Sequence, residues 1–411
     1  MENSPSTSQP ISRRNFLRAA VTAPVGVALA PSAMAETAAT VAPNAPEQKP
    51  PLPTRQLGKN GPQVSMLILG GDMPAHSPEF LDLGWFMGIR YFDTAEKYGN
   101  GKDETHIAEF LTRHPERRRE LFLVSKDYPR QGPEQLLTQI DTRLARCNTN
   151  YLDLFFIHQL CTQIYGEDSV NWPKSDQFKK VAEQLKSSGK CKLVGFSCHG
   201  GPEFIQAAAD GGFVDVVMVQ YTPFYERGGA FDRALTACHE KGIGIIAMKT
   251  LRHVGEIPKR LPEFDQLGLT THQALLHAVW SDPRISAICN SMHNLEQMGS
   301  SVAAARSYKT PLKTAHLERL RETVLAGRRT FCPGCPACHA AARETGFAFQ
   351  DIARFVTYYE QDGWLEARVQ YRALPTAARD ASGVDLAGLR ERCAFGIDYP
   401  EIAKRAQRYF A

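Results

Sequence analysis

The sequence predicts an α/β protein whose main domain is a barrel of eight parallel strands, a (β/α)8 or TIM barrel. Eight short β-rich runs occur in regular succession, and amphipathic segments long enough to form helical crossovers separate them. The runs are 66–69, 89–93, 121–126, 152–158, 193–197, 214–220, 243–248 and 285–290. A doubly wound open sheet is the weaker alternative, because no G-x-G-x-x-G motif follows the first run.

Composition places the chain among ordinary globular proteins. It has 411 residues, of which 43% are hydrophobic and 22% are charged, and its formal net charge is +4. This length suits one barrel, predicted over residues 54–328, with additional segments at both ends. The small net charge does not favour binding to nucleic acid or to a charged membrane surface.

Residues 1–35 have the features of an export signal. The pair Arg13-Arg14 precedes a mildly apolar run, and a small-x-small cleavage pattern ends at Ala35. The segment resembles a twin-arginine signal, which implies transport of the folded protein by the twin-arginine translocase and a periplasmic location. A short membrane anchor is the alternative, but the run contains two prolines and is short for a bilayer. The mature chain is therefore expected to have no stable membrane insertion, and residues 36–53 are predicted to be a disordered linker.

Four candidate catalytic residues fall at the carboxyl-terminal ends of predicted strands two to four, the face where TIM barrels carry their active sites. Asp93, Lys126 and His158 end these strands, and Tyr98 follows in the loop after the first of them. Reduction of a carbonyl needs a proton donor, and a free tyrosine has a pKa of about 10. A buried ammonium at Lys126 would lower that pKa, Asp93 would keep the ammonium charged, and His158 would hold the substrate oxygen.

Taken alone, each of these residues has a simpler explanation. Asp93 is typical of a helix N-cap, and Lys126 is typical of a solvated strand end. A lone His158 is more often a hydrogen-bonded histidine in a polar pocket, and a lone Tyr98 is more often a packing residue. Their occurrence together at one face of one predicted barrel favours a catalytic site.

In combination these motifs resemble those of the aldo-keto reductases. The matching segments are Phe92-Asp93-Thr94-Ala95, Tyr98-Gly99, Ser125-Lys126 and Asp153 to His158. The resemblance extends from about residue 55 to about residue 305. It implies an enzyme that reduces aldehydes or ketones with NAD(P)H, in which Tyr98 donates the proton, Lys126 and Asp93 tune it, and His158 orients the carbonyl.

The same resemblance implies a nicotinamide site. It places Ser197 of strand five and Gln220 at the end of strand six against the nicotinamide, with ordinary strand-end hydrogen bonding as the alternative for both. Met248 stands where many members have a tyrosine. Ser291 and Asn294 follow strand eight, where many members bind the 2′-phosphate of NADP, but no arginine occurs there. Both NADP(H) and NAD(H) therefore agree with the sequence.

Residues 329–411 are predicted to form a separate domain, with helices at 349–361, 363–374 and 399–410. The triplet Cys332, Cys335 and Cys338 has the C-x2-C-x2-C spacing that lets three thiolates bind one face of a 4Fe–4S cluster. Cys393 lies in a segment that resembles the end of a ferredoxin motif and is the predicted fourth ligand. Zinc is the less favoured metal, and disulfides are a third alternative. A ferredoxin-like tail after the barrel resembles one branch of the family.

The sequence therefore predicts an exported reductase of small carbonyl compounds. A protein of another class is the alternative: a non-catalytic or electron-transfer iron–sulfur protein that uses the barrel as a scaffold and exchanges electrons with a redox partner. The reason for considering this alternative is that free NADPH should be scarce outside the cytoplasm. Both a structural and a redox-active cluster agree with the sequence.

Overall fold

The computed structural model describes residues 48–71, 76–199, 201–252, 254, 257–327, 331–332, 344–393 and 395–411. The predicted export signal, most of the predicted linker, and two of the predicted metal ligands, Cys335 and Cys338, lie outside these residues. Among the helices of the described ranges, none is long and apolar enough to cross a membrane.

A two-stranded antiparallel hairpin precedes the barrel. Strand β1 (Thr54–Gln56) pairs with β2 (Gln63–Ser65), and each is too short for a pattern that the sequence could reveal. The prediction of a disordered linker up to residue 53 is wrong for residues 48–53. Leu52 is 2% exposed within the core, and its N–H donates to the carbonyl oxygen of Gly88. Burial of this leucine stabilises the ordered conformation.

Eight parallel strands form a closed barrel in sequence order. They are β3 (Leu67–Gly70), β4 (Tyr91–Asp93), β5 (Phe122–Asp127), β6 (Leu152–Ile157), β7 (Cys191–Cys198), β8 (Val216–Gln220), β9 (Gly244–Met248) and β10 (Ile285–Ser291). Pairing of β10 with β3 completes the ring. The predicted fold class is confirmed for the barrel, and the strand ends differ from the prediction by at most two residues.

Successive side chains along each strand point alternately into the barrel interior and into the layer beneath the helices. In β6, Leu154 and Phe156 belong to the cluster inside the barrel, whereas Phe155 and Ile157 pack in the outer core. His158 follows in the inward-facing row. The same alternation that fills the barrel with apolar side chains therefore directs a polar residue into its mouth.

Helices cover the outside of the barrel. They are α1 (Pro78–Phe86), α2 (Lys102–Arg113), α3 (Leu136–Arg146), α4 (Thr162–Tyr165), α5 (Asp176–Ser187), α6 (Pro202–Gly211), α7 (Ala230–Glu240), α8 (Pro262–Asp265), α9 (Thr271–Trp280), α10 (Leu295–Ser307) and α11 (Thr314–Ala326), with 3-10 segments at Tyr98–Gly101, Pro115–Arg119, Pro133–Gln135 and Glu167–Lys174. In α5, Phe178, Val181 and Leu185 form a buried stripe, and the Ser175 hydroxyl caps the helix by accepting from the Phe178 N–H.

The carboxyl-terminal domain is helical, and the three helices predicted there are present. It contains α12 (Phe349–Asp362), α13 (Glu366–Ala373), α14 (Thr376–Arg379), α15 (Leu386–Arg392) and α16 (Tyr399–Phe410). These helices enclose an apolar core of their own, to which Ile352, Val356 and Ile402 belong. Cys332 lies in this core, and Cys393 packs against it.

Candidate active site

The structure brings the four predicted catalytic residues together at the carboxyl-terminal mouth of the barrel. Lys126 Nζ on β5 donates to Asp93 Oδ1 on β4 at 2.5 Å and to the Tyr98 hydroxyl oxygen at 3.4 Å. The rings of Tyr98 and His158 meet edge to face, with centroids 5.6 Å apart. An acidic, a basic, a phenolic and an imidazole group therefore share one site.

The Lys126 ammonium is held in place by burial and by its acceptors. Its side chain is 0% exposed and that of Asp93 is 1% exposed. Nζ also donates to the carbonyl oxygen of Thr94 at 2.9 Å, so all three ammonium protons have an acceptor. Burial raises the pKa of Asp93, and the ammonium opposes that rise. These contacts exclude a solvated strand end for the lysine, and the aspartate caps no helix, because α2 has its N-cap at Gly101.

The environment of His158 favours its neutral imidazole. It is 4% exposed, and its Nδ1 has no hydrogen-bond partner among the described residues. Burial, followed by the charge of Lys126, holds its pKa well below the ordinary value. A neutral imidazole carries one N–H donor and one acceptor, so it can orient a carbonyl oxygen without adding a charge.

We expect His158 to make the protein less stable in acid. Its pKa in the folded state lies below the value of about 6.5 in the unfolded chain. Below that pH the unfolded chain binds more protons than the folded protein. The free energy of unfolding therefore decreases as the pH is lowered, by up to about 1.4 kcal/mol per pH unit. Denaturant unfolding at about pH 7 and about pH 5.5 should show a smaller loss for His158→Gln than for wild type. Equal losses would contradict the assignment of a buried neutral imidazole.

Two local features present Tyr98 to the ammonium. The chain turns after it through Gly99, Asn100 and Gly101, whose φ angles of 56°, 57° and 83° are all left-handed. Glycine and asparagine adopt this conformation at the lowest cost. The tyrosine ring also packs against Gly71, where a Cβ atom would lie 2.7 Å from Tyr98 Cδ2. The sequence does not by itself single out this glycine, although it follows directly after the first barrel strand.

A cavity of about 900 Å³ opens at the tetrad, and four of the five predicted nicotinamide-binding residues line it: Ser197, Met248, Ser291 and Asn294. Two of them also have ordinary structural contacts. The Ser197 hydroxyl accepts from the backbone N–H of Gln159 at 2.9 Å, and the Asn294 side chain caps α10 by accepting from the Gln297 N–H at 2.9 Å. The cavity therefore extends from the tetrad to the ends of β7, β9 and β10.

Gln220, the fifth predicted nicotinamide-binding residue, contacts the carboxyl-terminal domain. Its Nε2 donates to the carbonyl oxygen of Cys332 at 2.9 Å. Its Oε1 is buried and has no hydrogen-bond partner in the described part of the chain. The residue is 1% exposed, so this amide links the end of β8 to the segment that begins the cysteine-rich tail.

The carboxyl-terminal domain covers part of the barrel mouth, which sequence analysis did not predict. Arg354 and Tyr358, one turn apart on α12, line the cavity. The Tyr358 hydroxyl accepts from Lys249 Nζ, and Gln350 donates to the carbonyl oxygen of His199. Polar residues four apart on an amphipathic helix were the available signal, but they do not reveal which surface the helix covers.

Two of the predicted metal-binding cysteines lie in the described residues, and both accept hydrogen bonds. The Tyr399 hydroxyl donates to Cys332 Sγ at 3.1 Å, and the Ile397 N–H donates to Cys393 Sγ at 3.4 Å. Hydrogen bonds to sulfur are typical of cysteines that bind metals as thiolates. No group of three or more potential metal ligands occurs among the residues described.

Comparison with known proteins agrees with this architecture. The model of the aldo/keto reductase family matches residues 74–313. A probable aldo-keto reductase of Glycine max is 26% identical over 172 residues, which cover 40% of this chain and 46% of that protein. A methylglyoxal reductase of Escherichia coli is 33% identical over 121 residues, 28% of this chain and 37% of that protein. The chain spans about half the length of the curated relatives it matches.

Solved structures show the same fold. An aldo-keto reductase of Klebsiella pneumoniae in complex with NADPH superposes with a TM-score of 0.52 and 23% identity, over 66% of this chain and 94% of that one. An aldo-keto reductase of Bacillus halodurans superposes with a TM-score of 0.53 and 20% identity, over 66% of this chain and 96% of that one. In both cases the shared part corresponds in extent to the barrel.

Proposed function

Because the chain belongs to the aldo/keto reductase family, we propose that it reduces an aldehyde or ketone to an alcohol, with hydride from NADPH or NADH and a proton from Tyr98. The observation that carries this proposal is the buried relay in which Lys126 Nζ contacts both Asp93 Oδ1 and the Tyr98 hydroxyl. No simpler structural role requires a fully buried ammonium between a carboxylate and a phenol.

Side chains of this protein supply the proton and stabilise the charge that remains after its transfer. The nicotinamide, when bound, supplies hydride to the carbonyl carbon. Tyr98 donates its proton to the oxygen that becomes the alcohol, and the Lys126 ammonium stabilises the phenolate left behind. Asp93 offsets the buried positive charge. His158 donates a hydrogen bond to the same substrate oxygen, which fixes the carbonyl beside the phenol.

The cavity suits a nicotinamide cofactor. Its volume of about 900 Å³ is in the range of small-molecule and cofactor sites, and it extends along the strand ends on which Ser197 and Met248 lie. Gln220, on the strand between them, is not among the described residues that line the cavity.

Both nicotinamide nucleotides are proposed as cofactors. Between residues 289 and 301 the cavity lining includes Glu296 but no lysine or arginine. A 2′-phosphate therefore has no cation there to favour it, although the Klebsiella pneumoniae relative was solved with NADPH.

The assay of the function follows loss of nicotinamide absorbance by the purified protein. NADPH and NADH are tested separately with methylglyoxal, the substrate in the name of the Escherichia coli relative, and with an aromatic aldehyde. Oxidation that depends on the aldehyde supports the proposal. If neither nucleotide binds, or if neither is oxidised with any aldehyde, the proposal is contradicted.

We also propose that the carboxyl-terminal domain binds one 4Fe–4S cluster through Cys332, Cys335, Cys338 and Cys393, with zinc as the alternative metal. Cys332 and Cys393 are distant in sequence, yet they share one small core, and each accepts a hydrogen bond at sulfur. When bound, the cluster would add an electron carrier close to the barrel mouth.

We also propose export to the periplasm through the twin-arginine route, because that route carries folded proteins and can therefore carry this protein with its cluster in place. Cell fractionation of an Arg13→Lys/Arg14→Lys variant tests it, and unchanged export would contradict it.

Removal of one cysteine ligand should remove most of the metal. One cluster contributes about four iron atoms together with sulfide, and Cys393→Ser is expected to lose most of both. Cys191→Ser, at a buried cysteine of the barrel, is the matched control and should keep them. Iron, zinc and sulfide are measured after anaerobic purification. Full iron content in Cys393→Ser contradicts the ligand assignment, and zinc without sulfide supports the alternative metal.

One observation favours a second function, electron transfer by an iron–sulfur protein whose barrel is a scaffold. Gln220 Nε2 donates to the carbonyl oxygen of Cys332, so a residue expected at the nicotinamide contacts a predicted cluster ligand. A protein with full iron content that binds neither NADPH nor NADH would support this function. Binding of either nucleotide supports the reductase.

A further inference from the structure

We propose, resting on the reductase function, that the carbonyl substrate is an anion and that its carboxylate binds the guanidinium of Arg354. This arginine belongs to α12 of the carboxyl-terminal domain and lines the cavity that contains Tyr98 and His158. The substrate class is therefore a carbonyl acid whose two polar ends are held by two different domains.

Arg354 has an unused donor in a buried position. The residue is 8% exposed, and its Nη2 donates to Asp351 Oδ1 at 2.6 Å. Its Nε is buried and has no hydrogen-bond partner among the described residues. A guanidinium offers five donors in a fork that matches a carboxylate, and an unsatisfied buried donor carries a desolvation cost. An anionic ligand in the cavity would pair with this guanidinium, which lines it.

Arg354 lies beside the catalytic histidine. Its charge acts on Tyr128, which follows β5, on His158, which follows β6, and on His199, which follows β7, although burial chiefly sets the pKa of each. The residues predicted to contact the nicotinamide nucleotide belong to β7 through β10 and the loop after β10. A carboxylate at Arg354 would therefore lie near His158, which is expected to hold the carbonyl oxygen, at the border with the nucleotide residues.

The charge of the cavity agrees with an anionic substrate. Seven lysine or arginine side chains and four carboxylates line it. An excess of positive charge in a recessed cavity raises the local concentration of anions. Tyr128, Tyr358 and Trp364 also line it, so aromatic surface is available for the uncharged part of the substrate.

The test compares two aldehydes of nearly equal shape, 4-carboxybenzaldehyde and its methyl ester, methyl 4-formylbenzoate. Wild type should show a higher kcat/KM for the acid. In Arg354→Gln the ratio of kcat/KM for the acid to that for the ester should fall about tenfold or more, through a higher KM for the acid. Arg354→Lys keeps the charge and should recover part of the ratio. A ratio that Arg354→Gln leaves unchanged overturns the proposal.

Two further variants separate substrate binding from a structural ion pair. Asp351→Asn removes the carboxylate that competes for Arg354 and should raise the ratio, whereas a purely structural pair predicts no gain. Arg405→Gln, the matched control, removes an arginine that pairs with Glu401 and Glu360 outside the cavity. Its ratio should equal that of wild type. A lower ratio in Asp351→Asn counts against the proposal.

A binding measurement keeps the test independent of turnover. Calorimetric titration with 4-(hydroxymethyl)benzoate, the expected product, should show binding to wild type that Arg354→Gln weakens about tenfold. If no aldehyde is reduced, the reductase function fails, while this titration still decides whether the anion site exists. Equal binding to wild type and Arg354→Gln overturns the anion site, whatever the activity.

Discussion

Tyr98→Phe is expected to lower kcat for aldehyde reduction about a hundred- to ten-thousandfold, the range for loss of a positioned general acid. The substitution removes one oxygen atom, the one that lies 3.4 Å from Lys126 Nζ. The ring can remain packed against Gly71 and His158, so the fold and the nucleotide site should persist. Steady-state kinetics with saturating NADPH or NADH provide the measurement.

The control for this variant is a tyrosine outside the cavity. Tyr151→Phe removes a hydroxyl that donates to the carbonyl oxygen of Arg118, and its kcat should equal that of wild type. Nucleotide affinity of Tyr98→Phe, measured by fluorescence titration, should also equal that of wild type. A Tyr98→Phe protein with full kcat would exclude this tyrosine as the proton donor.

The second large effect concerns the buried pair of Lys126 and Asp93. Lys126→Met should abolish most activity, by at least about a hundredfold, because nothing then stabilises the phenolate. It should also lower the free energy of unfolding by up to about 3–5 kcal/mol, because Asp93 loses its partner in a buried site. Asp93→Asn leaves the ammonium unpaired and should destabilise similarly.

A double-mutant cycle distinguishes the two consequences. Asp93→Asn/Lys126→Met removes both charges, so it should be more stable than the sum of the single effects predicts, yet remain inactive. Denaturant unfolding and kinetics of all four proteins are compared at one pH. Additive losses of stability would mean that the two groups do not interact, in conflict with their distance of 2.5 Å.

The barrel and its tetrad could be predicted because their signals are local. Apolar runs of four to eight residues predict strands, and parallel order brings all strand ends to one edge. Asp93, Lys126 and His158 each end an inward-facing row, so the alternation that fills the barrel also directs them into its mouth. Tyr98 needed only a short turn of glycine and asparagine.

The covering of that mouth could not be predicted in the same way. Gln220 meets Cys332 across 112 positions, and Lys249 meets Tyr358 across 109. Contacts at such separations have no periodicity in the sequence, because they arise when two finished surfaces pack together. Order at residues 48–53 has the same origin, since Leu52 is buried only by packing on the barrel.

The sequence by itself therefore determined the closed barrel, the four side chains at its mouth and the helices of the carboxyl-terminal domain. Only the tertiary structure decided that this domain lies over the site and brings Arg354 into the cavity. The physical reason is that strand parity and helix periodicity act within a few residues. The choice of what covers an active site depends on shape and charge across the whole folded surface.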